Sequence, residues 1–99
     1  MRTIMKLLQD VKAYISPLEF YRTELPSMRP NGRSGWQDGG LCPLHDDHHA
    51  GSFHVNLKTG AFHCYSCGKS GGDIIAFIQV RDGLSFAEAL KKLADEWGV

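Results

Sequence analysis

With 99 residues, the chain has room for one small domain, whose thin core favours a metal cross-link as a supplement. Its 11 Lys/Arg and 11 Asp/Glu cancel, so no global field announces a nucleic-acid partner, and any such contact must come from a local patch. Residues 1–40 carry six basic and four acidic side chains, against five and seven in 41–99. No apolar run approaches ~18 residues, so no membrane span is expected. Residues 1–15 lack the unbroken apolar stretch and small-residue cleavage site of a secretory signal. A reducing cytoplasm is the expected setting, where three clustered cysteines, an odd number, read as metal ligands.

Ile4, Leu7, Leu8, Val11 and Ile15 recur at helical spacing and predict an amphipathic helix over 3–14. Ser16-Pro17-Leu18-Glu19 has the form of a capping box and opens a second short helix to about residue 23. The Pro- and Gly-rich stretch 26–40 is loop, with at most one strand around 35–42. In 52–57, Phe53, Val55 and Leu57 alternate with polar residues as in a half-buried strand. Lys58-Thr59-Gly60 is a turn, and 61–65 the returning strand of a hairpin. Residues 68–72 read as a turn into a helix capped by Gly72 or Asp73, carrying Ile74, Ile75, Phe77 and Ile78 and ended by Asp82-Gly83. Ser85-Phe86-Ala87-Glu88 is a further capping box, opening a helix with Phe86, Leu90, Leu93 and Trp97 on one face. The expected fold is α+β: a single domain over 1–99 in which a small antiparallel sheet forms a zinc ribbon, with a helical lead-in (1–25) and two C-terminal helices (72–97).

Two ligand pairs carry the chemistry. Cys42-Pro43-Leu44-His45 and Cys64-Tyr65-Ser66-Cys67 each hold two donors three positions apart, and an 18-residue connector joins them. A ligand-x-x-ligand turn aims two side chains at one point, and two such turns complete a tetrahedron of thiolate and imidazole. Four protein donors close the shell, so the expected ion is one structural Zn2+ with no open position for water chemistry. His48 is the alternative to His45, although His48 and His49 lie in a polar loop. His63 should point away from the face of its neighbour Cys64, and His54 falls on the polar face of its strand.

The competing readings are weaker. A redox Cys-x-x-Cys normally opens a helix, whereas this pair follows a hairpin strand and precedes Gly68, Lys69 and Ser70. No catalytic centre emerges: Asp46, Asp47, Asp82, Asp95 and Glu96 read as solvated or dipole-stabilising charges, and no phosphate loop of Walker form exists. Trp36, Phe53, Phe62 and Tyr65, with Arg29, Arg33, Lys58 and Lys69, suggest a stacking platform with a basic rim. Phe53 and Phe62 fit the core of a thin sheet better.

The motifs Cys42-Pro43-Leu44-His45, Gly51-Ser52-Phe53-His54-Val55, Phe62-His63-Cys64-Tyr65-Ser66-Cys67-Gly68, Gly71-Gly72-Asp73-Ile74-Ile75-Ala76-Phe77 and Leu84-Ser85-Phe86-Ala87-Glu88-Ala89-Leu90 together resemble the CHC2-type zinc-binding domain of bacterial and phage DnaG-type DNA primases. The resemblance runs from about residue 39 to the C-terminus, and more loosely over the two N-terminal helices. It implies a zinc ribbon with Cys42, His45, Cys64 and Cys67 as ligands. It also implies a sheet surface that recognises single-stranded template DNA while a separate polymerase domain starts the RNA primer, with Trp36, Lys58, His63, Tyr65 and Lys69 as candidate DNA contacts. The chain departs from the family in ending at Val99 without the carboxylates of a polymerase core, and in having Gly51 where proline is common. It is therefore expected to be a primase fragment or a free-standing protein of a mobile element, contributing to the activity of a separate domain or chain.

Two functions follow. The first is a DNA-binding zinc module for primer initiation in replication, with a primase catalytic domain or the replicative helicase as protein partner. The second is a zinc-ribbon adaptor that binds a replication protein without reading template, docking through Ile4, Leu8 and Val11 or through Phe86, Leu90 and Trp97.

Overall fold

The computed structural model describes residues 2–32 and 35–99, and Arg33 lies outside them. Helix α1 (Ile4–Tyr14) begins where the Thr3 hydroxyl accepts the Lys6 N–H. Helix α2 (Pro17–Glu24) begins at Ser16, whose hydroxyl accepts the Glu19 N–H at 3.1 Å. Only this half of the expected box forms, because the Glu19 carboxylate turns instead to Arg22, 3.4 Å away. The strands are β1 (Trp36–Asp38), β2 (Phe53–Asn56), β3 (Phe62–Cys64) and β4 (Ser70–Gly71), joined antiparallel in that order. Helices α3 (Ile74–Asp82) and α4 (Phe86–Trp97) complete the chain. At α4 the box is reciprocal, with Ser85 and Glu88 each accepting the other's backbone N–H at 3.1 and 2.9 Å.

The sheet sorts its side chains by the period-2 rule. Phe53, Val55, Phe62 and Cys64 face inward and are fully or almost fully buried. Phe77 of α3 is the hub beneath them, edge-on to Phe62, Tyr21 and Phe20 at centroid distances of 5.5, 5.3 and 5.7 Å. Burying each such ring contributes about 1.5–3 kcal/mol. The Tyr21 hydroxyl donates to the Gly60 carbonyl at 2.6 Å and ties the tip of the β2–β3 hairpin to α2. Gly60 itself sits at φ +85°, which any residue with a Cβ would resist.

Strand β4 replaces the turn expected over 68–72. Two residues, Ser70 and Gly71, carry no legible alternation, yet Gly71 pairs with Phe62 and Ser70 with His63. Gly71 makes this possible: a Cβ there would meet the Phe62 ring at 2.5 Å and the Ala76 side chain at 2.8 Å. The expected apolar face of α4 also needs correction. Leu90 and Leu93 are fully buried, but Phe86, at the first position of the helix, is 41% exposed because the core ends before it.

Candidate metal centre and open sheet face

The two ligand turns meet at one end of the sheet. Cys42, Cys64 and Cys67 are free thiols, and together with His45 they offer four donor atoms within 4.8 Å of one another. Bonds of ~2.3 Å to sulfur and ~2.0 Å to nitrogen set tetrahedral donors about 3.5–3.8 Å apart, so small side-chain rotations close this set on one zinc ion. His45 presents Nδ1 to the sulfurs, 3.9 Å from Cys64 Sγ. Each turn also turns a backbone N–H toward its first sulfur, Leu44 to Cys42 at 3.4 Å and Cys67 to Cys64 at 3.5 Å. These donors favour thiolate over thiol.

The electrostatics show why a cation belongs here. Burial pushes the Cys42 thiol up to about 12, and the neighbouring Cys64 and Cys67 add to the rise. Cys64 is also penalised by burial, but the N–H groups of Cys67 and Ser66 outweigh that penalty and hold it below its ordinary value. Three thiolates cannot share this pocket unless a divalent charge offsets them, and Zn2+ supplies it. All four positions are protein donors, which makes the ion structural. Lys69 braces the site from outside, its Nζ donating to the Leu44 carbonyl at 3.0 Å and so linking the second ligand turn to the first.

His48 does not join this set. Its side chain is 76% exposed and faces Asp46, itself 92% exposed, at 3.4 Å. Its neighbour Asp47 behaves differently, and reading the Asp46-Asp47 pair as solvated charge missed it. The Asp47 side chain is only 9% exposed. It accepts the Cys42 N–H at 2.8 Å and the His49 N–H at 3.3 Å. The Cys42 N–H foremost holds its carboxyl below the usual carboxylate range. The sequence signal was its place two residues before His49, the Asx-turn spacing at which an aspartate accepts the N–H two residues on.

The other face of the sheet is open. Trp36 and Tyr65 are 54% and 74% exposed, and the half-buried His54 and His63 lie between them, paired across β2 and β3. The His63 and Tyr65 rings meet edge to face at 4.3 Å, with His54 5.6 Å from Tyr65. With Ser70 and Gly71 these side chains line a shallow hollow of about 710 Å³. As expected, His63 points away from the face of Cys64, whereas Phe53 and Phe62 belong to the core.

The expected basic rim is displaced. Among the described residues, no Lys or Arg lines this hollow. Lys58 stands at the hairpin tip, around a smaller depression with Lys12, Thr59 and Asp73. Lys69 is engaged with Leu44, and the Arg29 guanidinium lies 3.4 Å from the Pro26 and Met28 carbonyls. The docking faces of the adaptor reading are covered at their centres and open at Ile4 and Phe86. Helix α1 packs on α4, and Val11 and Leu90 are fully buried. No helix among the described residues is long and apolar enough to cross a membrane.

The comparisons with known proteins agree with this geometry. The family model described as "CHC2 zinc finger" matches residues 8–99. The chain is 52% identical over 59 residues to the DNA primase of Mycolicibacterium smegmatis, covering 60% of this chain and 9% of that protein. It is 39% identical over 93 residues to the DNA primase of Streptomyces coelicolor, covering 92% and 14% respectively. The chain thus spans about a tenth of the length of these relatives. In fold it is similar to the crystal structure of the Aquifex aeolicus primase, comprising zinc-binding and RNA polymerase domains. That match has a TM-score of 0.66 at 23% identity and covers 99% of this chain and 22% of that one.

Proposed function

The chain belongs to the CHC2 zinc-finger family, and from that premise we propose that it is the template-binding module of a DNA primase. In this reading the 99 residues work as one unit, and the open sheet face holds single-stranded DNA for primer synthesis by a separate polymerase domain or chain. The observation that carries the proposal is the aromatic row on the open face of the sheet that the metal centre braces, exposed Trp36 and Tyr65 with half-buried His54 and His63 between them. An unpaired base offers a π-face to such rings, and stacking needs no base-specific hydrogen bond. Zinc supplies rigidity only, holding β3 and β4 against the 42–45 turn. Lys58, at the hairpin tip, is the phosphate contact best placed to be free, since Lys69 already donates to Leu44.

The test is binding of the zinc-loaded protein to a fluorescently labelled oligodeoxynucleotide by anisotropy, as a function of salt. Stacking contributes roughly 1–3 kcal/mol per base, so Tyr65→Ala should weaken binding by roughly 5- to 150-fold with zinc content unchanged. With no Lys or Arg among the described residues lining the hollow, the salt dependence should be shallow, a slope of about −0.7 per phosphate neutralised. Absence of binding at low salt, or an unchanged affinity in Tyr65→Ala, contradicts the proposal.

A further inference from the structure

We infer that Asp47 is a positioning residue for the metal centre, selecting the tautomer and orientation in which His45 ligates through Nδ1. Four observations converge on it. His45 turns Nδ1 toward the cysteine sulfurs, 3.9 Å from Cys64 Sγ, and its other ring nitrogen, Nε2, faces Asp47 Oδ1 at 3.8 Å. The carboxylate is fixed from two sides, by the Cys42 N–H on Oδ2 at 2.8 Å and by the His49 N–H on Oδ1 at 3.3 Å. Its side chain is 9% exposed while that of the adjacent Asp46 is 92% exposed, so sequence position alone does not bury it. Its anchor, Cys42, is itself a ligand residue, so one carboxylate faces both ligand residues of the first turn, Cys42 through its backbone N–H and His45 through Nε2.

The chemistry follows from the imidazole. A neutral ring carries one N–H, and only the nitrogen without it can bind a metal. A carboxylate facing Nε2 accepts from an N–H there and repels a lone pair. It therefore favours the Nε2–H tautomer and frees the Nδ1 lone pair for zinc, while raising the basicity of the ligating nitrogen. At 3.8 Å the contact is electrostatic and not a formed hydrogen bond. The carboxylate's charge, beyond its shape, is what the role requires.

Asparagine keeps the size of the side chain but removes its charge and one of its two acceptors. In Asp47→Asn the amide offers one acceptor in place of two, so the N–H groups of Cys42 and His49 compete for it and an NH2 is left facing one of the groups the carboxylate served. Zinc affinity, measured by competition with a chromophoric chelator, should fall by roughly 10- to 100-fold. Long-range 1H–15N spectra of the zinc-loaded protein should show the His45 Nε2 proton signal sharp in wild type and weakened or exchanging in the variant. Asp47→Glu, which keeps the charge, should retain affinity within about threefold of wild type on the same reasoning, and Asp46→Asn should match wild type. The inference is overturned if Asp47→Asn binds zinc as tightly as wild type with an unchanged His45 signal. It is also overturned if Asp47→Glu loses as much as Asp47→Asn. Should Asp47→Asn fail to fold even with zinc, the glutamate variant alone decides: retained affinity and His45 signal support the role, and their loss refutes it.

Discussion

Replacing Tyr21 by phenylalanine removes one oxygen from the centre of the protein and leaves the ring in place against Phe20 and Phe77. In the native fold that oxygen donates to the Gly60 carbonyl at 2.6 Å, and both residues are buried. Water cannot take over the acceptor, so the variant bears the cost of an unsatisfied buried carbonyl, about 1–3 kcal/mol. For a domain of this size each kcal/mol lowers Tm by roughly 4–8 °C. Urea titration of the zinc-loaded protein followed by circular dichroism reads the loss directly. The same phenol gives an independent signature at high pH. Burial, then the charge of Asp73, push Tyr21 well above its ordinary 10.0. Above pH 10 the unfolded chain releases this proton while the folded one keeps it, so stability is full below that pH and falls as pH rises past it. The wild-type minus Tyr21→Phe difference should therefore shrink above pH 10. A loss below about 0.3 kcal/mol at neutral pH, well under the cost of an orphaned carbonyl, would refute the idea that this bond pins the hairpin.

Two further outcomes follow from the same structure. Cys67→Ser, or a strong chelator, should cost the fold and not merely a binding property, because metal affinity and folding free energy are linked in a small site; native circular dichroism after zinc removal, checked by elemental analysis, would overturn this. Asp82, lowered to about 2 first by Arg81 and then by Lys92, contributes stability that is present above pH 4 and lost as pH falls toward 2. Asp82→Asn should flatten that acid limb in pH-dependent urea melts, and an unchanged limb would assign it to other carboxylates.

What could be read from the residues alone depended on how local the determinant was. The ligand pairs are legible because each is a four-residue turn, and the β2–β3 hairpin because Phe53, Val55 and Leu57 alternate around a Gly60 turn. Strand β4 was not legible, since its pairing depends on how closely Gly71 approaches Phe62, a contact between distant residues. Asp46 and Asp47 look alike in sequence and differ only once the fold buries one of them. Lys58 and Lys69 were grouped with the aromatic face by proximity along the chain. Side-chain direction, which only the packed structure sets, sends one to the hairpin tip and the other to Leu44. Likewise, the amphipathic faces of α1 and α4 invited a docking role, yet the structure turns their centres, Val11 and Leu90, toward the core and leaves only their ends, Ile4 and Phe86, exposed.

The proposed function has two halves: the metal braces the sheet, and the sheet's open face holds the DNA. Its most direct test is a titration of 15N-labelled, zinc-loaded protein with a short oligothymidine, followed by amide and indole chemical shifts. The expected result is a set of shifts centred on His54, His63, Tyr65 and Ser70, together with the Trp36 indole, leaving α1 and α4 undisturbed. Shifts confined to the exposed Ile4, Met5 and Phe86, or none at saturating oligonucleotide, would contradict it.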